Sequence, residues 1–334
     1  MSASRLSLAL ETGAVHLPAS GDIALYNPPA GTDLGALPAS RLVIVHGNAP
    51  DHAYWSALGH RASTDAPDSA AGAIVFLPRA KSAARNLVAR AVAHGGPVIV
   101  DGQKTDGVDS LLRDLRARTE TGAAFAKAHG KCFSVSAPPA ALADWILPDT
   151  QETPSGWVTA PGVFSADAPD PGSVALAAAL PAVLKGRVAD LGAGWGYLAY
   201  HVLQRPEVEE CALVEAEHAA LEAARRNVAD PRARFHWADA TRWSDAQPFD
   251  HVVTNPPFHS GRAATPALGA AFIATAAQLL APRGTLWLVA NRHLPYEAAL
   301  TEHFNDVRPL EGPTAYKLYA AQRPRRVSRS RSRR

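Results

Sequence analysis

The feature that most constrains the fold is a short stretch, Val188-Ala189-Asp190-Leu191-Gly192-Ala193-Gly194-Trp195-Gly196. Three glycines at alternate positions follow a β-prone apolar core and precede Tyr197 to Leu203, where apolar residues recur at helical spacing. Strand, glycine loop and helix in that order specify the opening unit of an α/β domain with a mostly parallel sheet. Such sheets bind ligands at the carboxyl ends of their strands, where this loop falls. A dinucleotide site needs Gly-x-Gly-x-x-Gly, whose third glycine lets the helix close on the strand beyond a pyrophosphate. Position 197 is Tyr, so the spacing to explain is instead Asp190-x-Gly192-x-Gly194-x-Gly196.

Further strand ends extend the site. Cys211-Ala212-Leu213-Val214-Glu215 reads as a buried strand closing on an acid 23 residues beyond Gly192, near the offset at which a carboxylate chelates ribose hydroxyls. Phe235 to Ala240 offers a third strand end, with Asp239 placed to accept from an adenine amino group. Phe249 to Thr254 is a fourth, stopped by Asn255-Pro256-Pro257-Phe258. The proline pair removes two backbone donors and drives Asn255 into an extended conformation, freezing a polar corner.

That corner suits one kind of acceptor. An amine on an aromatic ring is a poor nucleophile because its lone pair is delocalised. The Asn255 side-chain carbonyl and the Pro256 backbone carbonyl are expected each to accept one amine hydrogen, so that the lone pair is aimed and catalysis rests on orientation and electrostatics. Phe258 is expected to stack on the base, a contact worth about 1–3 kcal/mol. Such corners serve guanine amines, adenine amines and glutamine side-chain amides alike. Outside the enzymes, the alternative is a non-catalytic RNA-binding protein of ribosome assembly, against which the complete set Asp190, Glu215, Asp239 and Asn255 argues. Cys132 and Cys211 lie in or beside apolar segments and read as small buried hydrophobes. Two cysteines supply neither a disulfide framework nor zinc spacing, and no metal site is expected.

The glycine loop resembles that of class I methyltransferases. Their cofactor, S-adenosylmethionine, carries a sulfonium and an amino-acid tail, to which glycines let the backbone come close. The resemblance implies that Asp190, Gly192, Ala193, Gly194, Gly196, Glu215, Asp239 and Ala240 bind this cofactor, Asp190 through the methionyl ammonium, and that Asn255, Pro256, Pro257 and Phe258 form the catalytic corner. Pro161-Gly162-Val163-Phe164-Ser165, Asp170-x-Gly172-Ser173, Val289-Ala290-Asn291-x-x-Leu294-Pro295-Tyr296 and Lys317-Leu318-Tyr319 narrow it further. With the loop and the Asn-Pro-Pro-Phe corner they occur in the order of the bacterial ribosomal RNA guanine-N2 methyltransferases, the family of small subunit methyltransferase C and large subunit methyltransferase G. Membership implies methyl transfer to the exocyclic amine of a guanine in ribosomal RNA, with 16S RNA of the small subunit the expected substrate and ribosomal RNA or a ribosomal subunit the partner. Trp195 departs from the pattern and is expected to pack outward or beside the cofactor.

The first half reads as a second α/β domain, from Leu42-Val43-Ile44-Val45, Ala73 to Leu77 and Val98 to Asp101 as buried strands. It lacks the glycine loop; His46-Gly47-Asn48-Ala49-Pro50 stands where one is expected after the first strand. It resembles the family's amino-terminal half, a duplicated methyltransferase fold without cofactor chemistry. The expected layout is two tandem Rossmann-like domains, each a mostly parallel sheet with helices on both faces: a degenerate one at 1–150, with Lys81, Arg85 and Lys104 as candidate RNA contacts, and a catalytic one at 156–322. A disordered Arg-rich tail is expected at 323–334.

Charge sharpens the last point. Formal net charge is +2, yet the last twelve residues hold seven arginines and no acid; without those arginines the charge is −5. The body is therefore not a broadly basic platform, and the tail is the candidate tether to RNA phosphates. No apolar run approaches the roughly 18 residues of a membrane span. Glu11 interrupts the apolar start, which argues against a secretion signal, and a cytoplasmic setting is expected.

Overall fold

The computed structural model describes residues 4–257, 259–260, 263–264 and 266–325. The chain divides into two compact units, Met1–Asp149 and Thr150–Arg334.

In the first unit, α1 (Arg5–Glu11) precedes β1 (Ile23–Tyr26) and β2 (Leu42–Val45); α2 (Ala49–Ala57), β3 (Arg61–Ser63), β4 (Gly72–Phe76), α3 (Lys81–Ala93) and β5 (Val98–Gln103) follow. Then come α4 (Val108–Arg116), β6 (Glu120–Thr121), β7 (Phe125–Lys127) and β8 (Gly130–Ser136). The sheet order is β3-β2-β1-β4-β5-β8-β6, with β7 also on β8. It is parallel from β3 to β5, and β8 runs antiparallel. Ala24, Val75 and Val100 face a core with α3 and α4, whereas Leu25, Ile74 and Ile99 face one with α1 and α2. Successive strand residues point to opposite faces, so both faces are covered.

One expectation is corrected here. The first strand is β1, not Leu42–Val45, so the segment at the loop position is Asn27-Pro28-Pro29-Ala30-Gly31, and His46 to Pro50 follows the second strand. Ile-Ala-Leu-Tyr is four residues long and wholly buried, too short to show a period. Among the proposed RNA contacts, Lys81 and Arg85 share Asp114 at 3.1 and 2.6 Å, and Arg85 lies over the Trp145 ring. Their charges are engaged within the unit, while Lys104 is exposed.

The second unit opens with a small hairpin, β9 (Gln151–Glu152) and β10 (Val158–Thr159), so residues 151–155, left between the two expected domains, are partly paired. There follow α5 (Pro171–Ala179), β11 (Gly186–Leu191), α6 (Tyr197–Leu203), β12 (Val208–Glu215), α7 (His218–Asn227), β13 (Ala233–Trp237) and β14 (Phe249–Thr254). Beyond them lie β15 (His259–Ser260), β16 (Ala263–Ala264), α8 (Pro266–Leu279), β17 (Leu280–Asn291), α9 (Glu297–His303), β18 (Phe304–Leu310) and β19 (Tyr316–Pro324). The main sheet runs β13-β12-β11-β14-β17-β19-β18, parallel up to β17 and antiparallel beyond. Ala189, Val252 and Leu286 face a core with α8 and α9; Val188, Val253 and Trp287 face one with α5, α6 and α7. At the amino ends, Arg187 lies 4.3 Å over the Phe249 ring and pairs with Glu210 at 2.7 Å, joining three strands.

The functional consequence lies in the strand order. The chain lays β11, β12 and β13 in one direction and then returns to place β14 on the other side of β11. The sheet therefore reverses between β11 and β14, where open α/β sheets form a ligand crevice.

Residues 323–325, expected to open the disordered tail, are instead bonded to the second unit. Strand β19 runs through Pro324, Arg323 lies 3.6 Å from Asp306, and the Arg325 guanidinium donates to the Phe304 carbonyl. Residues 326–334 lie outside the described residues.

Candidate active site

Parallel pairing of Leu191 with Thr254 sets the glycine loop beside the Asn-Pro-Pro corner. The fully buried Thr254 hydroxyl reinforces it, donating to the Leu191 carbonyl at 2.7 Å. Gly192, Gly194 and Gly196 all have positive φ. At Gly194, φ is 55° and an added Cβ would meet nothing within 4 Å, so open space lies beside the backbone there. A side chain would both strain the turn and fill that space. Ala193 packs in the core at 8% exposure.

Of the acids, Asp190 sits deepest. It is 0% exposed, with Oδ2 accepting the Ala199 N–H of α6 at 3.0 Å and Oδ1 lacking a partner among the described residues. Burial pushes its carboxyl up to about 7. Glu215, at the end of β12, accepts from Gly194 N at 2.7 Å and from Glu217 N at 2.8 Å. Burial raises its pKa and these donors oppose the rise. Asp239 falls two residues beyond β13 and closes a local turn, its Oδ1 accepting from the Thr241 N–H at 2.8 Å and the Thr241 hydroxyl at 2.6 Å. Ala240 is a core residue, 4% exposed.

The acceptor corner is tied to α5. Asn255 Nδ2 donates to Asp170 Oδ2 at 2.8 Å and to Ser173 Oγ at 2.9 Å, which engages both amide hydrogens. Asp170, Ser173, Gly192, Gly194, Trp195 and Asn255 line one cleft. Glu215 reaches it through Gly194, whereas Asp239 and Ala240 follow a strand two places from β11. Pro256 is buried and Pro257 exposed; Phe258 lies outside the described residues.

Trp195 does not pack outward, one of its two expected placements, but lies on the wall of the cleft. It is turned inward, 4% exposed, and its indole N–H donates to the Ser165 carbonyl at 3.2 Å. Its ring packs 5.3 Å from Trp157 and 5.7 Å from Tyr197. The bulky residue thus pins the Pro-Gly-Val-Phe-Ser segment against the loop, leaving Phe164, 57% exposed, on the cleft wall. Asn227, which sequence reading missed, staples the same corner: its amide nitrogen donates to the Trp195 and Val158 carbonyls, and its oxygen accepts from Val158 N. Its only local signal was a polar residue ending a helix. Leu294 and Tyr296 of the Leu-Pro-Tyr motif are core residues, each 1% exposed. Cys132 and Cys211 are buried as expected, and burial pushes the Cys132 thiol up to about 12.

Comparison with known proteins now bears on this arrangement. Residues 156–320 match the family model of the methyltransferase small domain. A ribosomal RNA small subunit methyltransferase C from Shewanella sp. (strain MR-4) is 32% identical over 262 residues, spanning 75% of this chain and 76% of that protein. Its counterpart in Shewanella pealeana is 32% identical over 275 residues, 78% and 80% of the two chains. The chain belongs to the small subunit methyltransferase C family. In fold, this family member resembles a solved T. thermophilus 16S rRNA N2 G1207 methyltransferase, in complex with S-adenosylmethionine and guanosine. The TM-score is 0.75 at 24% identity, covering 92% of this chain and 90% of that one. The likeness spans both α/β units, as the reading of two sheet-bearing domains requires.

Proposed function

We propose that this chain transfers a methyl group from S-adenosylmethionine to the exocyclic N2 amine of a guanine in 16S ribosomal RNA. Family membership supports the substrate class, and one observation carries the chemistry: both Asn255 amide hydrogens are held away by Asp170 and Ser173. The amide oxygen is thereby left as the acceptor of the corner.

The residues present fit the cofactor. Gly194 offers a close backbone approach, Glu215 a carboxylate at the end of β12 for the ribose diol, and Asp190 an orphaned buried oxygen beneath the loop for the pole of the amino-acid tail. Asp239 and Ala240 are the adenine-side candidates. When bound, S-adenosylmethionine supplies an electrophilic methyl on a positively charged sulfur.

The chain's own residues do the rest. Asn255 Oδ1 and the Pro256 carbonyl each accept one hydrogen of the guanine amine, drawing its nitrogen toward a tetrahedral shape with the lone pair directed at the methyl group. Asn255 cannot take a proton at neutral pH, so the proton released after transfer goes to water. Phe258 is assigned to stacking on the base.

Mapping modified nucleosides by mass spectrometry in ribosomal RNA from cells lacking this protein tests the reading. Loss of one N2-methylguanosine from 16S RNA is expected. Intact guanine methylation, with a missing methyl on adenine or on a protein glutamine, would replace guanine with the rival acceptor.

A further inference from the structure

We propose that Asp170 is a positioning residue for the transfer, selecting which end of the Asn255 amide faces the cleft; this rests on the reading of the site given above. An asparagine amide is nearly symmetric in shape, and its two orientations differ by a half-turn of the last side-chain torsion. Chemically they are opposites. With oxygen toward the cleft, Asn255 accepts from an amine; with nitrogen there, N–H groups confront N–H groups and the amine is repelled.

Among the described residues, nothing in the Asn-Pro-Pro corner makes that choice. It is made by a segment 85 residues earlier in the chain. A carboxylate accepts hydrogen bonds and does not donate them, so the amide nitrogen must turn toward Asp170. The Ser173 hydroxyl oxygen takes the second amide hydrogen.

The selecting oxygen is itself fixed. Asp170 caps α5, the same Oδ2 accepting from Ser173 N at 2.8 Å, with Pro171 in the first turn. Behind it, a Cβ added to Gly172 would lie 2.9 Å from Asp170 Oδ2 and 2.9 Å from the Tyr316 ring of β19. Only glycine lets the turn sit this close to β19. Capping alone needs the Ser173 N–H bond; the bond to Asn255 is additional, and it is made to the residue assigned to touch the substrate.

A charge exchange separates positioning from structure. Asp170→Asn keeps a good helix cap but can present either oxygen or nitrogen to Asn255. Asn255→Asp sets two carboxylates against each other. Combining the two substitutions restores one carboxylate and one amide in exchanged places, with a carboxylate oxygen left as acceptor in the cleft. The four proteins are compared by single-turnover transfer to small-subunit RNA, by calorimetric titration with S-adenosylmethionine and by thermal melting. Each single variant is expected to lose at least about tenfold in rate at saturating RNA, with cofactor Kd and RNA KM within about threefold of wild type. The combination is expected to recover about tenfold over Asn255→Asp. A combination no faster than Asn255→Asp, or a loss confined to melting temperature or cofactor affinity, overturns the proposal.

If wild type methylates no guanine N2, the functional reading fails, and a measurement free of turnover still decides Asp170. The side-chain amide protons of Asn255, assigned in the nitrogen–proton NMR spectrum by their loss in Asn255→Ala, should exchange with solvent about tenfold faster in Asp170→Ala. Unchanged exchange there overturns the positioning role.

Discussion

Glu215 Oε2 accepts the backbone N–H of Gly194 at 2.7 Å, tying the end of β12 to the middle of the glycine loop after β11. The other carboxylate oxygen accepts from Glu217 N, so one side chain shapes two turns at the mouth of the sheet. In the proposed function, the same group receives the ribose hydroxyls. Glu215→Ala removes a charged acceptor and loosens the loop together. Hydrogen bonds to charged groups contribute about 1.5–3 kcal/mol, so the cofactor Kd should rise roughly 10- to 150-fold. Turnover at saturating cofactor should fall no more than about threefold, because no transition-state contact is lost. Titration calorimetry and initial rates measure the two effects separately; an unchanged Kd would exclude Glu215 from the cofactor site.

Asn255→Ala should have the opposite signature. The cleft keeps its glycine loop, so cofactor affinity should stay within about twofold. The rate of transfer should fall by about a hundredfold or more, the scale of losing one preorganised electrostatic contact at a reacting centre. Single-turnover transfer to 16S RNA provides the measurement. Substantial residual rate would show that the amine is oriented by something other than the corner.

These two residues also mark what could be read from the chain. The loop and the fourth strand end were legible because glycines at fixed spacing and a proline pair act locally, on the residues beside them. Strand β14 occupies the Phe249–Thr254 range those signals define. What was hidden depended on distance or direction. The Asp170–Asn255 contact spans 85 residues, and no local pattern announces it. Trp195 carries the same letters whether it faces solvent or core; its inward packing is decided by Trp157, Tyr197 and the Ser165 carbonyl, all brought by tertiary folding. Strand β1 escaped because both its faces are buried, which erases the alternation that identifies a half-exposed strand.

Asp190 makes stability depend on pH in an unusual direction for an acid. Burial raises its folded-state pKa from an ordinary 3.8 to about 7. Between those values the unfolded chain has lost the proton and the folded chain retains it, so folding takes one up. The contribution is fully present below the unfolded value and is lost as pH rises toward 7, with a slope of at most about 1.4 kcal/mol per pH unit. Other carboxylates, such as Asp114 beside Arg85, are shifted downward and act in the opposite sense. The informative quantity is therefore the urea-unfolding stability of wild type minus that of Asp190→Asn. It should fall by on the order of 2–4 kcal/mol between pH 4.5 and 7.5. A flat or rising difference would mean that Asp190 is ionised in the folded protein throughout that range.

The arginine-rich end yields a prediction that the structure has altered. Truncation at residue 323 would remove the Phe304–Pro324 pairing of β18 with β19 and the Arg325 contact to Phe304, confounding RNA binding with loosening of the edge strand β18. Deleting only residues 326–334 removes five arginines and leaves the described strand whole. Each phosphate contact contributes about 0.7 to the slope of log affinity against log salt on single-stranded RNA, so the slope should shrink by up to about 3.5. Affinity should fall most at low salt and least at high salt. Transfer at saturating RNA should be unchanged, since none of the residues assigned to the cofactor or to the acceptor corner falls within 326–334. Binding titrations of both forms across a salt series test this, and equal slopes would leave the tail with no part in holding RNA.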